Sequence, residues 1–242
     1  MITVKCIAAY DFGTSGVKAA LVSEEGKILA VQEKAYPLYK PQPLYVEQDP
    51  KDYWDAVCEV THGVLANSGA MPEDVKALSF SVQAVNIIPV DKDGNVLHNA
   101  ISWLDGRAEK QAEEINTRCG MDLVRSQDHH SRLLWIKENR PDIYEKTAYF
   151  LDCNSFLQYK ATGVMAVKHD HPGIAKKDPM IQAYIDATYA DIDAEKLGPT
   201  VAACEKYAVL DEKGASDLGL ITGTPVFGGM IDVTAASAGC GC

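Results

Sequence analysis

The chain has 242 residues, 47% of them hydrophobic, and a formal net charge of −11. That length fits one large domain or two small ones with a sizeable core, and the acidic balance argues against nucleic acid or an anionic membrane as the main partner. The apolar runs are strand-sized rather than membrane-spanning, the N-terminus lacks a secretory pattern, and the seven scattered cysteines, an odd number, read as reduced thiols of a cytoplasmic protein.

In chain order, three strands open the sequence. Val4 to Tyr10 is apolar and ends at Asp11, Val17 to Val22 is rich in branched and small residues, and Ile28 to Glu33 follows the turn Glu24-Glu25-Gly26-Lys27. Gly-containing connections of this length suit antiparallel hairpins. After a loop with Pro37, Pro41 and Pro43, Asp49-Pro50 reads as an N-cap and first helical residue. The helix behind it carries Tyr53, Trp54, Val57, Val60, Val64 and Leu65 at helical spacing. Ala77 to Val82 reads as a buried strand, and Ile87 to Val90 with Val96 to Leu97 as a hairpin around Asp91-Lys92-Asp93-Gly94.

Helices are expected at Arg107 to Arg118, at Leu133 to Asn139 with Pro141 ending it, and at Ser155 to Ala161, with a short strand at Tyr149 to Leu151. Val167 to Tyr207 lacks a clear period, although Met180 to Tyr189 looks helical and Asp191 to Leu197 can add a turn. A last strand runs from Pro225 to Gly229, and Thr234 to Gly239 starts the helix behind it. Antiparallel strands followed by alternating helices and strands predict an α/β domain with a mixed sheet.

Two motifs carry chemistry. Asp11-Phe12-Gly13-Thr14-Ser15-Gly16-Val17-Lys18 places backbone amides and two hydroxyls in a turn that can cradle phosphate, with Gly supplying close approach and unusual dihedrals. Lys18 adds positive charge, and Asp11 suits magnesium, which prefers oxygen ligands and keeps several waters. The other reading is an ordinary Gly-rich hairpin. Gly228-Gly229-Met230-Ile231-Asp232-Val233-Thr234-Ala235-Ala236-Ser237-Ala238-Gly239 places Asp232 at the start of a helix of small residues. There it either complements the helix dipole or acts as a general base. An acid for a metal, amides for phosphate and a base for a hydroxyl are together what phosphoryl transfer requires. His169-Asp170-His171 and Cys240-Gly241-Cys242 contain metal-ligand types, but nothing completes a recognisable spacing around either.

Three further segments lie between those motifs: Val46-Glu47-Gln48-Asp49-Pro50, Ser79-Phe80-Ser81-Val82-Gln83, and Ala100-Ile101-Ser102-Trp103-Leu104-Asp105-Gly106-Arg107. In this order the five segments closely resemble the N-terminal half of the FGGY carbohydrate kinases, especially those similar to xylulokinase, across 4–108 and 219–241. Across 109–218 the resemblance is thin, with Leu133 to Asn139 the best match.

The resemblance implies a ribonuclease-H-like fold of the actin, hexokinase and sugar-kinase group. Residues 1–242 would be the sugar-binding first domain, with the ATP-binding second domain outside this chain. It implies ATP and Mg2+, a small-molecule sugar or polyol as partner, and neither nucleic acid nor membrane; a homodimer is left open. Position by position, it implies Asp11 as the metal-linked acid, Gly13, Thr14 and Ser15 with Lys18 at the phosphates, and Asp232 as the catalytic base. Gln83, Ala84, Val85, Trp103 and Asp105 would line the sugar pocket. Trp103 can offer an apolar face to sugar C–H groups, and Asp105 either orients the sugar or only holds Arg107.

Ala84 and Val85 depart from the pattern, standing where xylulokinases carry Met-His and glycerol kinases Arg-Glu. A xylulose-like pentulose is the leading expectation, yet two hydroxyl-gripping side chains are missing. His129 or Asp128, just before the Leu133 helix, can compensate, or Asp128-His129-His130 is a solvated polar loop. The final Gly-Gly-Met-Ile-Asp-Val also differs from the glycine run and Asp-Asn of xylulokinases, and looks closer to members acting on other ketoses or polyols. A non-catalytic sugar-binding or regulatory module reusing the domain is the alternative. A nucleotide-binding scaffold of the actin or chaperone type is a third reading, against which Ile101 to Arg107 argues.

Overall fold

A computed structural model of the protein describes residues 5–166, 179–199 and 205–241. β1 (Cys6–Phe12), β2 (Gly16–Ser23) and β3 (Ile28–Ala35) form the expected antiparallel meander. β1 alternates strictly between buried and exposed residues, the period of a strand with one face in the core. It runs two residues past the expected end, because the ladder continues through Asp11 opposite Lys18 and Phe12 opposite Val17.

β4 (Glu47–Gln48) leads into α1 (Pro50–Ser68). The Asp49 carboxylate accepts the Lys51 N–H at 2.8 Å, Pro50 occupies the first turn, and Gly69 at φ 72° ends the helix. Its buried stripe includes Tyr53, Val57, Val60 and Val64. Each buried valine contributes roughly 1.5–3 kcal/mol, which outweighs the few tenths of a kcal/mol that a branched residue costs a helix.

β5 (Val75–Val82), β6 (Ile88–Val90), β7 (Ala100–Ile101), α2 (Glu109–Cys119), α3 (His129–Asn139), α4 (Pro141–Lys146) and β8 (Tyr149–Leu151) follow. Next come α5 (Cys153–Thr162), α6 (Pro179–Thr188), β9 (Lys206–Val209), α7 (Glu212–Leu218), β10 (Pro225–Phe227), β11 (Met230–Ile231) and α8 (Asp232–Gly239). The main sheet has the order β3-β2-β1-β5-β10-β9, with β11 also against β5. β5 is parallel to β1, β10 and β11, and the remaining pairs are antiparallel. The mixed sheet flanked by helices is thus as the sequence predicts.

Two apolar clusters form the core. One joins a sheet face (Ala8, Tyr10, Phe12, Leu78, Phe80, Val82) to α1, α5 and α7. The other joins α2, α3 and α4 through Ile115, Leu133, Ile136 and Ile143 to Phe150 of β8. On its other face the sheet shows Ile7, 49% exposed, with Ala9 and Asp11.

Several expectations are corrected. The arms of the expected 87–97 hairpin meet, Val96 bridging Val90 and Leu97 N–H donating to Pro89 O at 2.9 Å, but only as a short irregular connection, and β6 takes β8 as its strand partner. Asp91 accounts for this, since its carboxylate accepts the Asp93 and Asn95 amides and curls the connection on itself. Pro141 does not merely end a helix but opens α4, its ring suiting a first turn. Asp128-His129-His130 is not a loop: helix α3 starts at His129 with Asp128 as N-cap. The 191–197 segment is a short 3-10 turn at Ala194–Leu197. His169-Asp170-His171 and Cys242 lie outside the described residues. Cys6, Cys58, Cys119, Cys153 and Cys240 are free thiols, and burial pushes Cys58 up to about 12.

Candidate functional site

The ladder register brings the two motifs together. Asp11 of β1 and Met230 of β11 both lie opposite Ser81 of β5, and Phe12 and Ile231 both lie opposite Val82. Gln83 and Asp232 are the next residues of their segments, so Asp11, Gln83 and Asp232 share the carboxyl end of three parallel strands. Neighbouring strands are about 4.8 Å apart, which puts β1 and β11 about 10 Å apart with β5 between. Carboxyl ends of parallel strands are where open α/β sheets bind ligands.

The 13–16 turn closes with Gly13 N–H donating to Gly16 O at 3.0 Å. Neither Gly13 nor Gly16 takes the left-handed dihedrals expected of a phosphate nest. Gly16 is required by close approach instead: a Cβ there would lie 2.5 Å from the Lys34 carbonyl oxygen of β3. The Tyr36 hydroxyl donates to the Gly13 carbonyl. Thr14 is held twice, its carbonyl by Gln48 Nε2 at 2.9 Å and its hydroxyl by Trp103 Nε1 at 2.9 Å. Lys18 stands opposite Asp11 and meets exposed Glu33 only at 4.0 Å, a surface pair worth at most about 1 kcal/mol.

Asp232 arrives by a bulge. Val226 pairs with Leu78 and Met230 with Ser81, so the last segment advances four residues while β5 advances three. Gly229, at φ 67°, absorbs the extra residue, and a Cβ there would lie 2.2 Å from Phe80 O. From beneath, Asn154 donates to Gly228 O at 2.7 Å, and Gln158 donates to Phe227 O and Gly228 O at 3.0 and 2.5 Å. The expected strand therefore breaks at the glycines, and α8 begins at Asp232 rather than at Thr234. The Asp232 carboxylate is exposed and accepts the Val233 N–H at 2.7 Å.

On the sugar side, Gln83 is buried. Its Nε2 donates to Gln48 Oε1 at 3.3 Å, and its Oε1 has no hydrogen-bond partner among the described residues. Ala84 is half-buried and Val85 exposed, with Val85 at φ 49°, a strained backbone for a branched residue. Fully buried Arg132 of α3 holds this loop. It donates to the carbonyls of Val85, Ile101 and Ser102, the last two at 3.2 and 2.5 Å. Burial pushes its guanidinium down to about 10, still charged at neutral pH. Trp103 is 41% exposed beside the 13–16 turn.

Asp105 offers no surface, being 0% exposed. Its oxygens accept Val46 N–H at 2.6 Å and Arg107 at 2.8 to 2.9 Å, and Arg107 continues to Glu47 at 2.8 Å. The guanidinium is stacked on Tyr45, 3.9 Å from the ring centroid. These contacts match the second of the two readings of Asp105, that it holds Arg107. His129 Nδ1 meets the Tyr189 hydroxyl at 3.1 Å, and buried His130 packs edge-on to Tyr189.

Contacts or register therefore unite Asp11, the 13–16 turn, Lys18, Gln83, Trp103 and Asp232. Asp105 lies behind them, and His129 meets Tyr189 of the segment after α6. Sequence reasoning did not single out Gln48, Asn86, Arg132, Asn154 or Gln158 as site residues. Gln48 stands inside one of the motifs, while the others fall in none and carry no motif signal. Among the described residues no three His, Cys, Asp or Glu side chains form a metal cage. Magnesium held through one or two carboxylates, nucleotide phosphates and waters needs none, and exposed Asp11 fits that demand.

A mixed sheet packed on helices, with Asp11, Gln83 and Asp232 at the carboxyl ends of three parallel strands, fits the actin-like, ribonuclease-H-like class of α/β domains. The fold is similar to that of the xylulose kinase of Rhodospirillum rubrum, with a TM-score of 0.85 and 22% identity over 98% of this chain and 52% of that one. Ligand-bound xylulose kinase from Lactobacillus acidophilus is similar at a TM-score of 0.83 and 23% identity, over 98% of this chain and 50% of that one. Residues 6–239 match the FGGY family of carbohydrate kinases, N-terminal domain, and the chain belongs to that family.

Among sequence relatives, the xylulose kinase of Bacillus subtilis is 28% identical over 251 residues, covering 98% of this chain and 50% of the relative. A human FGGY carbohydrate kinase domain-containing protein is 30% identical over 257 residues, covering 95% of this chain and 46% of the relative. The chain spans about half the length of the curated relatives it matches.

Proposed function

We propose that this chain is the sugar-binding half of an ATP-dependent carbohydrate kinase acting on a ketose or polyol, with a xylulose-like pentulose as the leading candidate. The observation that carries the reading is the register of β1, β5 and β11, with Asp11, Gln83 and Asp232 at one strand edge. In this reading Asp232, exposed and fixed at a helix start, takes the proton of the attacking hydroxyl. Gln83 Oε1, buried without a partner among the described residues, accepts a hydrogen bond from a substrate hydroxyl. Trp103 covers the C–H face of the sugar.

The amides of Gly13 to Ser15, the two hydroxyls and Lys18 orient the transferred phosphoryl group, so the protein contributes mainly positioning and electrostatics. Asp11 would hold magnesium together with the nucleotide, whose phosphate charge the ion offsets. Ala84 and Val85 offer no polar grip, which favours a substrate whose hydroxyls are met elsewhere.

The test is ATP-dependent ADP release by the complete gene product over a panel of ketoses, polyols and aldoses. Turnover on one sugar is expected, and Asp232→Asn should keep sugar affinity while losing about 10²- to 10⁴-fold in kcat. Full activity in Asp232→Asn would remove the base assignment. Sugar binding without turnover in the wild type would favour a binding module.

A further inference from the structure

Gln48 lies beneath both halves of the candidate site and is fully buried. An amide side chain has two N–H donors and an oxygen with two lone pairs. Here Nε2 donates to Thr14 O at 2.9 Å and to Pro37 O at 3.4 Å. Oε1 accepts from the Tyr53 hydroxyl at 2.9 Å and from Gln83 Nε2 at 3.3 Å. The network also sets its orientation. Flipped, the amide would point oxygen at two carbonyls.

From Tyr53 the chain of bonds continues. Asn86 Nδ2 donates to the Tyr53 hydroxyl at 3.3 Å, Asn86 Oδ1 accepts the Trp103 N–H at 3.2 Å, and Trp103 Nε1 donates to the Thr14 hydroxyl at 2.9 Å. The ring Thr14-Gln48-Tyr53-Asn86-Trp103 closes on itself, with Gln83 attached at Gln48. An indole N–H can only donate, so Thr14 Oγ1 is the acceptor there and its own hydrogen is free to point elsewhere.

We infer that Gln48 is a positioning residue that couples the sugar side of the site to the phosphate turn. The inference rests on the kinase reading above. A ligand that stiffens Trp103 or Gln83 also stiffens Thr14, so the second substrate meets a turn already ordered. Such coupling is reciprocal and typically amounts to 5- to 150-fold in affinity.

The test compares the complete gene product with Gln48→Met, which removes all four bonds at similar size, and Gln48→Glu, which still accepts but cannot donate to Thr14. In hydrogen-exchange mass spectrometry without ligands, peptides spanning 12–17 should exchange about tenfold faster in both variants, with α1 at wild-type rates. Where the wild type turns over, KM for ATP should rise about tenfold and kcat stay within about threefold. Unchanged exchange at 12–17, or acceleration spread evenly over the chain, would overturn the inference. So would a kcat loss at constant KM. A wild type with no turnover would sink the kinase reading and leave the exchange comparison to decide the role of Gln48.

Discussion

The β1–β2 turn and the β11–α8 segment deliver the two candidate acids to one sheet edge by opposite means. The turn is held from outside, by Tyr36, Gln48 and Trp103 from three other parts of the chain. The second segment is shaped from beneath, by a glycine bulge and two amides of α5, and then runs into a helix with no buried residue. One region is therefore over-determined, held from three separate parts of the chain, while the other rests on one helix and one backbone irregularity. Damage should spread differently from each.

The largest expected effect tests the over-determined side. Arg107→Leu leaves Asp105 and Glu47 as buried carboxylates without their cation. We expect a loss of about 3–5 kcal/mol, or roughly 10 °C in Tm by thermal denaturation, with faster exchange at 44–48 and in the 12–17 turn. A loss below about 1 kcal/mol would mean that neither the ion pairs nor the stacking on Tyr45 organises this region.

Gly229→Ala tests the other side. The added Cβ meets Phe80 O in a left-handed backbone. A cost of about 1–3 kcal/mol is expected, with a fall in kcat larger than the loss of stability explains and exchange at 12–17 unchanged. Equal loosening of both regions would break the distinction between them.

The smallest effect concerns α3, which carries Arg132. Burial pushes His130 below its ordinary 6.5, with Asp128 opposing and Arg132 adding to the shift. Between the lowered value and 6.5 the unfolded chain binds the extra proton, so stability falls as pH falls through that window. His130→Phe should therefore lose less Tm than wild type between pH 7 and pH 5. An identical pH dependence in the two would refute a neutral, buried His130.

Much of the architecture was legible in the sequence. The alternation of β1, the Asp49-Pro50 start of α1 and its apolar stripe are local signals, set by pleat, helix period and capping within a few residues. The five motifs, read in order, also pointed to the family and to Asp11, Gln83 and Asp232. Partners far away in sequence were not legible. The β6–β8 pairing, the Arg132 suture, the Gln48 ring and the burial of Asp105 join residues up to 89 positions apart. The role of Gly16 likewise depended on where β3 passes, and the start of α8 on a bulge against β5. Periodicity and caps are properties of neighbouring residues, and they determined which elements form. Which polar group meets which depends on the space that packing leaves between those elements, and only the tertiary structure decided that.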